Sequence, residues 1–195
     1  MKKIINKKFK LPIIVIFLVG VIFGILFLFF ISELDKLIIK TEIEEYLNLL
    51  SQSQNTINSI LLSFKSNILY LTIIWVSSIT LIFTPLIFFV IFYKGFLTGF
   101  LISSFVMIYG IKGFMYSVIF TFPHEIINII AYIMFSIIMV SISYKIMKSI
   151  YNNDSINLRV FCKKVFILYI IFLIILFISS ILETFLNHFI IGIFF

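Results

Sequence analysis

The sequence predicts an all-α fold: a polytopic membrane helix bundle of about five transmembrane helices, with a short extracytoplasmic amphipathic helical segment after the first span. Three observations carry this. Hydrophobic residues make up 63% of the 195 residues and charged ones 12%, whereas a soluble domain is about half apolar and about a quarter charged. One water-facing core cannot bury that much apolar surface. The apolar residues also fall in runs long enough to cross about 30 Å of hydrocarbon at about 1.5 Å per residue. Finally, the net charge of +7 gathers in two places, Lys2, Lys3, Lys7, Lys8 and Lys10 at the start and Lys145, Lys148, Arg159, Lys163 and Lys164 around residue 155. Basic clusters flanking apolar spans read as cytoplasmic topology signals. Membrane lipid is therefore an expected partner, and nucleic acid is not.

The chain, 1–195, reads as a single integral membrane domain. Span 1 covers about 11–31. The stretch "LPIIVIFLVGVIFGILFLFFI" follows a basic start as a signal core would. It is longer than such a core, and no small-residue cleavage site follows, so an uncleaved span is expected. Segment 32–67 turns polar and is placed outside. In it Leu34, Leu37, Ile38, Tyr46, Leu47 and Leu50 recur at near-helical spacing, and Ile57, Ile60, Leu61 and Phe64 do so after "SQSQN". Two amphipathic helices joined by a turn fit this pattern. They lie on the membrane, pack on the bundle, or dock a partner; in the last case Glu42, Glu44 and Glu45 form part of the surface.

Span 2 is expected at about 68–92, ending at Tyr93-Lys94, and span 3 at 95–111. Gly20 and Gly24 in span 1, and Gly95, Gly99 and Ser103 in span 3, follow four-residue spacing. Small residues at that spacing let helix backbones approach closely. Packing within one bundle is the first reading, and a homo-oligomer seam the second. Span 4 covers 114–143, and such a helix would reach about 45 Å. Pro123 lacks a backbone donor and clashes with the preceding turn, so the span is either one strongly tilted helix or a pair of helices broken there. In lipid a break needs protein or water around it, which turns the span toward the bundle interior. A cytoplasmic basic loop, 144–164, carries the only cysteine, Cys162, so an intrachain disulfide is excluded. Span 5 runs about 165–193. Five crossings put the termini on opposite sides. The two clusters and Lys94 on inner segments, against Lys36, Lys40, Lys65 and Lys112 on outer ones, place the N-terminus in the cytoplasm and the C-terminus outside.

Ionisable groups at membrane depth cost about 2.5–3.5 kcal/mol each at a helix centre on insertion scales, so they persist when paired or used. His124, Asn128 and Ala131 share a helix face in span 4, with Glu125 beside it; Ser179, Ser180, Glu183 and Asn187 form a stripe in span 5, where His188 also lies. The two stripes suggest that spans 4 and 5 meet in an intramembrane polar clamp of His124, Glu125, Asn128, Glu183 and Asn187. A proton or substrate path through the same groups, in a transporter or permease subunit, is the alternative. Catalytic residues are not expected. "HEIIN" is one imidazole short of the HExxH zinc motif, because Asn128 stands where the second histidine must be. His188 alone does not complete a three-ligand site. There is no nucleophile elbow and no phosphate-cradling glycine loop, so neither a metal nor a cofactor is expected.

These landmarks resemble the stage II sporulation protein M family. "FYKGFLTGF" (92–100), "FPHEIINIIA" (122–131) and "LETFLNHFI" (182–190) carry the likeness, with the basic start, the single span and the outer segment before them. Their order and spacing hold across nearly the whole chain. The chain departs from the family pattern at Asn128, where a glutamate is frequent, and at Ile130, where a proline often precedes the alanine; its own glutamate comes early, as Glu125. The resemblance implies a non-enzymatic membrane scaffold for septal peptidoglycan remodelling and forespore engulfment, located in the mother-cell or septal membrane. It implies the wall-cutting stage II sporulation proteins P and D as partners.

Overall fold

The computed structural model describes residues 7–52, 56–79, 83–152 and 158–194. After a 3-10 turn at Lys7–Phe9 come six helices: α1 (Lys10–Phe30), α2 (Glu33–Gln52), α3 (Thr56–Ile79), α4 (Thr84–Tyr109), α5 (Ile111–Tyr151) and α6 (Leu158–Phe194). All but α2 contain a stretch long and apolar enough to cross a membrane: Lys10–Phe30, Ile57–Ile79, Thr84–Tyr109, Pro123–Tyr151 and Cys162–Leu186.

The count of five agrees with the sequence, but several boundaries move. No break falls at Tyr93-Lys94; it lies between Ile79 and Thr84, so α4 carries Lys94 well inside the helix. The local chemistry explains this. Pro85 sits in the first turn of α4, where its missing N–H is spared and its fixed φ suits the helix. The polar stretch 56–67 is likewise not a separate outer helix; it runs straight into the second span as the first half of α3. The basic loop shrinks too. Lys145 and Lys148 ride the last turns of α5, and Arg159, Cys162, Lys163 and Lys164 the first turns of α6; the Cys162 side chain is exposed.

Pro123 does not break its helix: α5 is one helix of 41 residues with the proline inside it. A proline deletes one backbone donor and crowds one carbonyl of the preceding turn. The remaining donors of that turn still bond, and freeing them in lipid would cost several kcal/mol each. At about 1.5 Å per residue, α5 is about 60 Å long, roughly twice the hydrocarbon thickness. Its charged ends, with Lys112 at one and Lys145 and Lys148 at the other, suit the two membrane faces.

Side-chain contacts fix the arrangement. Helix α5 is central: residues 135–143 are all buried, and it packs against α4, α6 and α3. Helices α1, α4 and α6 run one way, α3 and α5 the other. Ring contacts Phe9–Tyr144 and Trp75–Phe166, and a 2.7 Å hydrogen bond between Thr84 and Ser143, gather one end of the bundle. Lys8 and Lys10 of the first basic cluster, and Lys145, Lys148, Lys163 and Lys164 of the second, lie at that end. Phe64–Phe177 contact lies toward the far end. Gly110 makes the tight turn from α4 to α5 with φ +62°, a conformation that suits glycine. A Cβ at Gly113 would strike the Phe105 carbonyl oxygen.

Helices α1 and α4 form the closest pair. A Cβ at Gly20 would meet the Phe92 carbonyl oxygen, and at Gly24 that of Phe96; at Gly95 it would meet Phe17, and at Gly99 Val21. The two glycine pairs therefore face each other across one parallel helix crossing. The Ser103 hydroxyl, one turn further along α4, donates back to Gly99 and Phe100 of its own helix. Helix α2 begins at a serine N-cap: the Asp35 N–H donates to Ser32 Oγ, which donates in turn to the Asp35 carboxylate. Glu33 and Asp35 in its first turn favour the helix dipole. Helix α2 touches the bundle only lightly, through α4 and α6.

Candidate functional site

A polar core sits where α3, α4, α5 and α6 meet. Its lower part is built around Lys94. Ten residues into α4, or about 15 Å from its start, this lysine is only 8% exposed. Its ammonium lies 4.3 Å from the ring centre of Tyr70 on α3 and 4.9 Å from that of Tyr132 on α5. Desolvated cation–π contacts of this kind are worth about 2 kcal/mol. The Tyr132 hydroxyl donates to the Asn67 side-chain oxygen at 2.8 Å and lies 3.1 Å from its backbone carbonyl oxygen. Carboxylates of Glu125 and Glu183 bear on Lys94 electrostatically.

The upper part joins α5 to α6. The Ser179 hydroxyl donates to the His124 carbonyl at 2.9 Å. His124 Nε2 stands 3.9 Å from Glu183 Oε2, an ion pair when the imidazole is protonated and too long for a hydrogen bond. Ser63 of α3 also bears on the Glu183 carboxylate. Asn128 donates to the Glu125 carboxylate at 3.0 Å. His124, Asn128 and Tyr132 recur every four residues, so they share one face of α5. His124 Nδ1 and Asn128 Oδ1 are buried with no hydrogen-bond partner among the described residues.

The sequence-derived residues divide as follows. His124, Glu125, Asn128 and Glu183 come together; the Asn187 and His188 side chains lie outside what the structure describes. Glu42, Glu44 and Glu45 are exposed on α2, far along the chain from this core. Sequence reasoning missed Lys94, Tyr70, Tyr132, Asn67 and Ser63. For Lys94 a signal existed: "TPL" at 84–86 is a helix start, and it puts the lysine three turns into a span.

Chemically, the four ionisable side chains can close to zero net charge, two carboxylates against an ammonium and a protonated imidazole. A balance of that kind offsets the cost of holding ionisable groups in lipid. Among the described residues no three or more His, Cys, Asp or Glu side chains gather as a metal would need.

The model of the family described as stage II sporulation protein M matches residues 13–187. No curated protein and no solved structure matches the chain. The match spans α1 through most of α6, and with five helices fit to cross a bilayer it settles the class: the chain belongs to the stage II sporulation protein M family, as a multi-pass membrane protein related to sporulation.

Proposed function

We propose that this protein is a non-enzymatic scaffold of the mother-cell or septal membrane, organising peptidoglycan hydrolases during engulfment. The single observation that carries the reading is α2. It leaves the membrane two residues after α1, keeps Leu34, Leu37 and Ile38 exposed at 75%, 61% and 56%, presents Glu42, Glu44 and Glu45 to solvent, and barely packs on its own bundle. A helix with apolar and acidic surface held off the body of the protein suits a docking partner. The bundle beneath would hold that arm in place, its polar groups engaged mainly with one another. With the basic clusters in the cytoplasm, α2 faces the wall, where the family's wall-cutting partners, stage II sporulation proteins P and D, would meet it.

Charge reversal of Glu42, Glu44 and Glu45 together is expected to cut co-purification of the two hydrolases by about tenfold, the scale of a lost set of rim charges. The variant should remain in the membrane at wild-type level. Unchanged co-purification would remove α2 from the partner surface.

The buried charges favour one second reading, a transporter subunit, since intramembrane ionisable residues often mark ion or substrate paths. The two readings part at Glu183→Gln. A clamp still hydrogen-bonds through the amide and loses stability of about 1–2 kcal/mol. A path loses proton or solute flux in proteoliposomes while the melting curve stays put.

A further inference from the structure

Just beyond the glycine crossing, toward the far end, α1 and α4 part and leave a cleft of about 460 Å³. Ile25 and Leu28 of α1, Ile102 and Val106 of α4, and Phe114 of α5 line it, and Lys36 of α2 stands at it. The other polar side chain on its wall, Ser103, has spent its hydroxyl on its own helix. The cleft is thus apolar with a single cation. Its depth follows from the chain: Leu28 is two residues from the end of α1, and Val106 three from the end of α4. That is acyl-chain depth just under the headgroups, with Lys36 at headgroup height.

We propose that this cleft is a phospholipid site, with one acyl chain between α1 and α4 and the phosphate on the Lys36 ammonium. The volume falls in the range of small-ligand pockets. A second helix, about 10 Å across with its side chains, does not enter a wedge between two helices that touch one turn below. Lipid is also the solvent at this position. The Lys36 side chain is 28% exposed while its ion-pair partner Glu33 is 88% exposed. The lysine stem therefore lies along the apolar wall with its charged head outward. An exposed pair to Glu33 holds that head weakly, and a phosphate is the stronger acceptor.

The test uses the full chain, purified in mild detergent and examined by native mass spectrometry after addition of phosphatidylglycerol, phosphatidylethanolamine or diacylglycerol. One bound phospholipid per chain is expected. Lys36→Met should weaken retention of both phospholipids by about tenfold, the worth of one charge-assisted hydrogen bond, and leave diacylglycerol, which has no phosphate, unaffected. Val106→Trp should fill the cleft and release all three. If Val106→Trp does not fold, Lys36→Met decides alone, since it alters only a surface side chain. Absence of a bound lipid on the wild type, equal phospholipid retention by Lys36→Met, or a dimer seated on the cleft in place of lipid would each overturn the proposal.

Discussion

Replacing Gly24 by alanine is expected to destabilise the protein by about 2 kcal/mol, although helix propensity alone would stabilise it by about 1 kcal/mol. The sign follows from what stands opposite. The new Cβ would meet the Phe96 carbonyl oxygen, and Gly99→Ala would meet that of Val21. Neither is the end of a flexible side chain; both belong to helix backbones that move only as rods. Helices α1 and α4 would have to separate, and the dispersion contacts of that crossing would weaken together. Without a hydrophobic force between helices in lipid, close packing is most of what holds such a pair. Ring contacts Phe23–Phe92 and Phe27–Phe96 flank the crossing and would loosen with it. Ser103→Ala on the same helix is the control and should change stability by less than about 0.5 kcal/mol, because its hydroxyl bonds only within α4. Unfolding in mixed micelles measures all three. A Gly24→Ala protein as stable as wild type would mean that α1 and α4 do not touch there.

The glycine result also shows what sequence can supply. Four-residue spacing marked Gly20, Gly24, Gly95 and Gly99 as close-approach positions, but spacing within a helix does not name the helix opposite. Their pairing joins residues some seventy apart and is a tertiary fact. The five spans were legible because apolar length is a property of the chain alone. Two local signals misled for the same reason. Tyr93-Lys94-Gly95 has the chemistry of a turn, yet its lysine is held by two tyrosine rings from other helices, and its glycine by a close helix. Pro123 has the chemistry of a break, yet the surrounding α5 turns keep their bonds. The charge of Lys94 and the ring of Pro123 are read correctly only when the neighbours are known. By contrast, the meeting of His124 with Glu183 lay within reach, because each stripe repeats at helical spacing and neither can face lipid.

Lys94→Met is expected to produce the other large loss, about 3–5 kcal/mol, the cost of removing one member of a buried charge set. The methionine fills the space between Tyr70 and Tyr132 and keeps their packing, so volume is not the cause. What goes is the cation: both ring contacts lose their attraction, and Glu125 and Glu183 lose an ammonium that bears on them. The carboxylates are then left in low dielectric with less positive charge to balance them. A second change should therefore restore most of the loss. In Lys94→Met with Glu125→Gln, one negative charge disappears with the positive one, and Asn128 can still bond to the glutamine oxygen. This double variant is expected within about 1–2 kcal/mol of wild type, since replacing both members of a buried pair is often neutral. A double-mutant cycle on unfolding free energies reads the coupling directly. Were Lys94 instead an exposed loop residue between two spans, Lys94→Met would shift stability by no more than about 0.5 kcal/mol, and Glu125→Gln would rescue nothing. The size of the first number locates the lysine, and the rescue identifies its partner.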